Sequence, residues 1–369
     1  MIAKTDGQRL ERVRSVVEVG RKIADPEDPI GREARRDLHQ SIALSPEGVE
    51  LALRELLETN PTEGELAALV EGTEPAERCQ VVLSANVCIG ALRAIALGVA
   101  SAPVVHVKAS RRDPTLARMF VRELATQERF CSADGQIYAT DPLRAQPGDL
   151  VYAYGSDETL ASIAGALPVG ATLIGHGSGF GIAVVGERSD LESTASLLAE
   201  DVAPFDQRGC LSPRLVLVEG GVERARLFAS ALDVSLGEIA QRIPRGRLDE
   251  SEVREIARYV ELMRAAGEVL VGASHVVGFD PDPEGVWLGP ACRVVHVLPM
   301  EAIRVSNLLA PVARHVANLG VTPEADEPGH LLAALRLICP GARTSRLGRM
   351  QRPALDGPVD LRALARFSR

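Results

Sequence analysis

The residue best placed for covalent chemistry is Cys210, in the run Phe205-Asp206-Gln207-Arg208-Gly209-Cys210-Leu211-Ser212-Pro213. This single cysteine sits in a small-residue turn just ahead of Leu215-Val216-Leu217-Val218, which reads as a buried strand. Gly209 permits unusual backbone angles beside the sulfur, and Pro213 stiffens the exit. The setting suits a thiol that must meet a carbonyl carbon and present a free backbone N–H to the oxyanion that forms. A buried small hydrophobe is the plain alternative for any cysteine. The other five, Cys79, Cys88, Cys131, Cys292 and Cys339, lie far apart with no CxxC or Cys/His ligand spacing. They read as reduced thiols without structural zinc, and no metal site is expected.

Elements that must position such a thiol follow from the pattern along the chain. Residues 1–72 read as helices separated by turns, with a break at Asp25-Pro26-Glu27-Asp28-Pro29 and a helix opened by Ser45-Pro46-Glu47-Gly48. From 73 to 205 strands and helices alternate. Strands are expected at Cys79–Leu83, Val104–Lys108, Leu150–Tyr154, Ala171–Gly175 and Ile182–Val185, with helices at Val87–Val99, Pro114–Gln127 and Asp157–Ala166. That alternation specifies βαβ units and a mostly parallel sheet. A second α/β block spans 206–345 and carries Cys210. An arginine- and proline-rich tail, 346–369, reads as a wrapping segment whose charges face solvent. Gly155 closes a strand where a helix begins, so that helix N-terminus can face a phosphate at the carboxyl edge of the sheet.

Bulk composition narrows the function classes. A chain of 369 residues exceeds one ordinary core, so two domains are expected. Aromatics at 3% give no base-stacking surface, and a net charge of −9 argues against a nucleic-acid partner. No apolar run is long enough to span a bilayer, and no signal-peptide core opens the chain. The expectation is a cytoplasmic protein.

In their order, the landmarks resemble the aldehyde dehydrogenase superfamily, and within it the acyl-CoA reductases of the bioluminescence fatty-acid reductase type. The Asp-Gln-x-x-Cys-x-Ser-Pro stretch at 206–213 carries the resemblance most specifically. Lys108-Ala109-Ser110, Tyr154-Gly155-Ser156-Asp157-Glu158 and Leu347-Gly348-Arg349-Met350-Gln351-Arg352-Pro353 support it. It implies an aldehyde dehydrogenase-like fold: two Rossmann-like α/β domains with an N-terminal helical segment. The activity implied is NADPH-dependent reduction of an acyl thioester, on CoA or an acyl-carrier protein, to an aldehyde. Cys210 would be the nucleophile that forms an acyl-cysteine intermediate, its pKa lowered by some local charge or helix dipole. Aldehyde oxidation, or a non-catalytic acyl-carrier-binding subunit of the same fold, are the alternatives. A homo-oligomer stays open, although no obvious β-arm for one stands in the sequence.

The resemblance also assigns roles to other residues. Asn86 would donate to the oxyanion with the Cys210 N–H, or else cap the following helix. Lys108 and Ser110 would contact the adenosine side of the cofactor. Arg111 stands where many NAD-preferring relatives carry a glutamate, and a guanidinium there suits the 2′-phosphate of NADPH over NADH. Gly155 and Ser156 would lie at the pyrophosphate, although Leu160 replaces the closing glycine of that turn. His176 replaces the glutamate that activates water in hydrolytic relatives. Its loss fits reduction, and His176 would donate a proton, orient the cysteine, or serve structure alone. Leu288 replaces a glutamate that often binds the nicotinamide ribose. Acyl-chain length would depend on pocket shape, with loops 131–147 and 278–290 as contributors.

Overall fold

The computed structural model describes residues 2–132, 134–322, 330–362 and 366–368. Two seven-stranded sheets, each mostly parallel, organise the chain. The first holds β1 (Arg78–Val82), β2 (Val104–Lys108), β3 (Cys131–Ser132), β4 (Gly135–Ala139), β5 (Leu150–Tyr154) and β6 (Thr172–His176). The second holds β7 (Phe180–Val185), β8 (Pro213–Val218), β9 (Glu268–Val271), β10 (Val276–Phe279), β11 (Val294–Pro299), β12 (Val316–Val321) and β13 (Arg343–Arg346). The last strand, β14 (Arg366–Ser368), returns to the first sheet, antiparallel to β6.

Helices cover both faces of the central strands, so these strands are apolar on both sides rather than alternating. All six residues of β7 are buried. The helix Gly90–Ser101, buried at every position from Ala91 onward, is wedged between the first sheet and the long helix Ile2–Ala24. Gly98 permits the close approach, because a Cβ there would lie 2.8 Å from Val81 Cγ2. The carbonyls at its C-terminus find partners in the first helix: Arg9 Nε donates to Ala100 O at 2.5 Å and Arg12 Nε to Val99 O at 2.9 Å. The N-terminal helices therefore share one core with the first sheet, in which Val13, Val16, Leu92, Ile95 and Val105 pack together. The turn signals in this segment act as read: Asp28 accepts from Ile30 N at 2.9 Å and Ser45 from Gly48 N at 3.0 Å, each ahead of a proline.

The first sheet runs in the order β14-β6-β5-β1-β2-β4-β3. The chain moves outward from β1 through β2 to β4, then returns to β5 on the other side of β1. This reversal leaves a crevice at the carboxyl ends of β1 and β5. The Leu83–Asn86 loop leaves β1 there, and the Gly155-Ser156 turn leaves β5. The chain then changes sheet through Gly177, Ser178 and Gly179 alone, from the carboxyl end of β6 to the amino end of β7. The sequence reading kept the 182–185 strand in the first α/β block, up to 205. Pairing instead seats β7 between β12 and β8 in the second sheet. Strand periodicity reports burial, not the pairing partner, so it could not reveal this.

Candidate active site

Asn86, Gly155, Ser156, His176 and Cys210 line one cavity of about 890 Å³. It lies between the carboxyl edge of the first sheet and the amino edge of the second, where Cys210 stands just ahead of β8.

The turn bearing Cys210 is built on an unusual backbone. Phe205, Asp206 and Gln207 have φ of 53°, 48° and 64°, all left-handed and none glycine. Side chains of the same residues hold them there. Asp206 Oδ1 accepts from Arg293 Nε at 3.0 Å, and Oδ2 accepts from Gly246 N at 3.0 Å. The Gln207 amide donates to the carbonyls of Pro213 (2.7 Å) and Val294 (2.9 Å) and accepts from Val294 N at 2.8 Å. The Asp-Gln of the motif is thus the frame of the turn, while Cys210 is free of it.

Burial pushes the Cys210 thiol up to about 11, and Asp360 adds to the effect. Arg362, the Cys210 amide and Arg93 oppose it. This corrects the expectation of a lowered pKa: desolvation outweighs the nearby cations, and the resting thiol is protonated. Among the described residues the Cys210 N–H has no backbone acceptor outside its own residue. The helix after β1 begins only at Gly90, with Ile89 as its cap and no side-chain cap bond. Asn86 therefore does not cap it, and it lies on the lining of the cavity.

His176 closes β6, 6% exposed, its ring stacked on Tyr154 at 4.5 Å and 7°. Both ring nitrogens and the Tyr154 hydroxyl are buried without a hydrogen-bond partner. Burial lowers the imidazole to about 4, so it is neutral near pH 7. A neutral ring keeps one N–H and one acceptor nitrogen.

Lys108 closes β2 and Ser110 and Arg111 follow it at the same carboxyl edge, outside the lining of the cavity, whereas Arg112 is on it. Ser110 Oγ accepts from Arg112 N at 3.3 Å. Three cations on this loop fit a nucleotide phosphate. The Gly155-Ser156 turn fits one poorly. The Gly155 N–H already donates to His176 O at 3.2 Å, and Ser156 Oγ accepts from Thr159 N at 3.2 Å. Asp157 and Glu158 put negative charge in the first turn of that helix. Asp157 Oδ1 in turn accepts from Ser178 N at 3.0 Å, and a Cβ at Gly177 would lie 2.4 Å from it.

Several lining residues escaped the sequence reading. Ile42, Leu44 and Leu56 come from the helical segment, and Gln351, Pro353, Val359 and Asp360 from the tail. The tail wraps as a strap across the cavity; Arg346, Arg349 and Arg352 face solvent, whereas Gln351, Pro353, Val359 and Asp360 line the cavity. Arg93 ties the three regions: it pairs with Glu58 at 2.5 Å and donates to the carbonyls of Gly357 (2.6 Å) and Ala354 (2.7 Å). Loops 131–147 and 278–290 do not line the cavity. Buried Leu355 and half-buried Val359 are weak clues in the sequence, because apolar residues in an arginine-rich tail carry no period. Among the described residues no three His, Cys, Asp or Glu side chains gather as metal ligands, and no helix is long and apolar enough to cross a membrane.

Solved structures share this architecture. An oxidoreductase from Marinobacter aquaeolei superposes with a TM-score of 0.68 at 13% identity, over 95% of this chain and 79% of that one. An NAD-dependent aldehyde dehydrogenase from Sinorhizobium meliloti gives 0.63 at 15% identity, over 91% and 74%. An NADP-dependent glyceraldehyde-3-phosphate dehydrogenase from Bacillus halodurans C-125, complexed with NADP, gives 0.64 at 14%, over 93% and 79%. At such identities the likeness is one of fold, and the fold is aldehyde dehydrogenase-like. No curated protein matches the chain. Residues 70–369 match the acyl-CoA reductase (LuxC) family, which covers the switch-point crevice, the Cys210 turn and the strap, and the chain belongs to that family.

Proposed function

We propose that the protein reduces an acyl thioester to an aldehyde through an acyl-Cys210 intermediate, with NADPH as reductant. The observation that supports this reading is that Cys210, Asn86 and a neutral His176 all line one cavity, and that among the described residues the Cys210 N–H has no backbone acceptor outside its own residue. Cys210 attacks the thioester carbonyl, and the oxyanion is held by its own N–H and the Asn86 amide. The thiol proton leaves with the departing CoA or carrier thiol. A nicotinamide cofactor, when bound, supplies the hydride that turns the acyl group into aldehyde. Cys210 then departs as thiolate and is reprotonated. Lys108, Ser110, Arg111 and Arg112 would hold the adenosine side of that cofactor, and the arginines favour a 2′-phosphate.

Water must not intercept the acyl-enzyme. The carboxylate coupled to the sulfur, Asp360, is bound through both oxygens by Arg362, which leaves it poorly placed to activate water. Ile42, Leu44, Leu56, Val87 and Ile89 form an apolar wall suited to the hydrocarbon of the acyl group.

The test is NADPH oxidation with a panel of acyl-CoAs, beside a Cys210→Ala control and intact-mass detection of the acyl adduct. Turnover with a Cys210-dependent adduct supports the reading. An adduct without NADPH turnover overturns the reductase assignment in favour of acyl transfer or oxidation. Absence of binding to either nicotinamide cofactor overturns it in favour of a non-catalytic subunit.

A further inference from the structure

The pair of Asp360 and Arg362 does more at the cavity than withhold a base from water. Asp360 is 3% exposed and shares the cavity lining with Cys210 and His176. Arg362 donates from Nε to Asp360 Oδ1 at 2.7 Å and engages Oδ2 through a second nitrogen. The same guanidinium donates to the carbonyls of Ser178 at 2.7 Å, Gly177 at 3.3 Å and Arg314 at 3.3 Å. Gly177 and Ser178 directly follow His176, so Arg362 clamps the three-residue link by which the chain leaves one sheet for the other. A buried ion pair seldom recovers its desolvation through Coulomb attraction alone. This one places Asp360 on the cavity that Cys210 lines.

We propose that Asp360 and Arg362 are positioning residues for the Cys210 site: Arg362 fixes the backbone that carries His176, and the opposed charges of the pair govern how readily Cys210 gives up its proton. The proposal rests on Cys210 being the nucleophile. The groups around the sulfur support it. Arg93, held by Glu58, comes from the helix after β1, Tyr154 and His176 come from the first sheet, and the pair comes from the strap. Arg208, which also lines the cavity, is balanced by Glu252 at 2.8 Å and Asp206 at 3.3 Å. Of the charges acting on the thiol, Asp360 opposes ionisation, whereas Arg362 and Arg93 favour it. Asp360 and Arg362 act on His176 with the same opposed signs.

The experiment is iodoacetamide alkylation of the full chain at pH 8.5, read at Cys210 by peptide mass, for wild type, Asp360→Asn, Arg362→Met and Arg362→Lys. Melting temperatures are recorded for each. Asp360→Asn is expected to speed alkylation and Arg362→Met to slow it, each by about three- to tenfold, the gain in thiolate outweighing its lower nucleophilicity. Arg362→Lys keeps the charge and recovers the alkylation rate, yet lacks the fork that clamps three carbonyls, so its turnover stays low. A merely structural pair would move both rates in one direction, with loss of melting temperature. Equal rates in folded variants, or shifts of the same sign, overturn the proposal. If Arg362→Met does not fold, Asp360→Asn against Arg362→Lys decides it. The alkylation needs no turnover, so wild type that alkylates at Cys210 but reduces no thioester would refute the proposed function alone.

Discussion

Asp206 and Arg293 form an ion pair at 2.9 Å in which each side chain is 1% exposed. The pair joins two segments whose backbones are both left-handed, Phe205–Gln207 and Cys292–Arg293, where the latter have φ of 75° and 67°. Cys292 N donates to Asp206 O at 2.9 Å, so the segments are sewn by backbone as well as charge. Each such conformation costs about 1–3 kcal/mol and persists only when its surroundings over-determine it. Here the strain lies three residues before the nucleophile, and the ion pair is part of what holds it.

Removing one partner should therefore be costly. Asp206→Ala leaves the Arg293 guanidinium buried and unpaired and is expected to lose about 3–5 kcal/mol in urea unfolding. Arg293→Met should cost a similar amount, and the double variant less than the sum of the two. Additive losses would mean that the two residues stabilise the turn independently.

Asn86 should act in chemistry without acting in stability. It caps no helix, so Asn86→Ala should leave the melting temperature close to wild type. The loss of an oxyanion donor should lower kcat by about 10²- to 10³-fold, or about 2.7–4 kcal/mol. A large fall in melting temperature with kcat preserved would return Asn86 to a structural role.

Neutral His176 predicts a definite pH dependence. Its folded pKa of about 4 lies below the ordinary 6.5, so the stability it contributes is complete above 6.5. That stability is lost as pH falls through 4, because the unfolded chain takes up the proton first. His176→Phe keeps a ring against Tyr154 but removes both nitrogens, and its stability should fall less between pH 6.5 and 4. Parallel stability curves for the two proteins would show that the imidazole does not titrate as described.

The arginines after β2 predict cofactor choice. Replacing Arg111 and Arg112 together with alanine should weaken NADPH binding by about tenfold or more while leaving NADH nearly unchanged, since a 2′-phosphate contact is worth a charge-assisted hydrogen bond or two. Calorimetric titration with both nucleotides checks this, and an equal loss for both would place the arginines elsewhere than at the 2′-phosphate.

What the sequence revealed follows from what local pattern can encode. Cys210 was legible because its turn chemistry and the apolar strand after it lie within a dozen residues. The break at residues 25–29 and the helix opened at Ser45 were legible for the same reason. The seat of β7 was not, since pairing between strands 30 residues apart leaves no periodic mark. Nor was the raised thiol pKa, which comes from burial contributed by remote elements. Asp360 reaches the cavity from 150 residues downstream of Cys210 in sequence, in a segment whose arginines masked it as solvated. Arg93 is one cation in an apolar helix, and only the fold shows it gathering Glu58 and the strap around the site.

The anchor of that strap supplies the last prediction. Asp201 is fully buried and accepts from Gly348 N at 2.6 Å and Met350 N at 2.8 Å, just before Gln351 enters the cavity wall. Burial raises its carboxyl to about 7, against the opposing pull of the two amides. A carboxyl whose folded pKa is raised gives its full stabilisation below the unfolded value near 3.8, and loses it as pH climbs through 7. The advantage of wild type over Asp201→Asn in chemical unfolding should thus be greatest near pH 4 and shrink steadily toward pH 8. Asp201→Ala, which likewise does not titrate but leaves both buried N–H groups unmet, should be less stable than Asp201→Asn by about 1–3 kcal/mol at every pH. If the strap positions the site as described, Asp201→Ala should also slow turnover, through displacement of Gln351 and Asp360, with little change in nucleotide affinity. A wild-type advantage that grows with pH would mean the carboxylate, rather than the neutral acid, is the form the fold prefers.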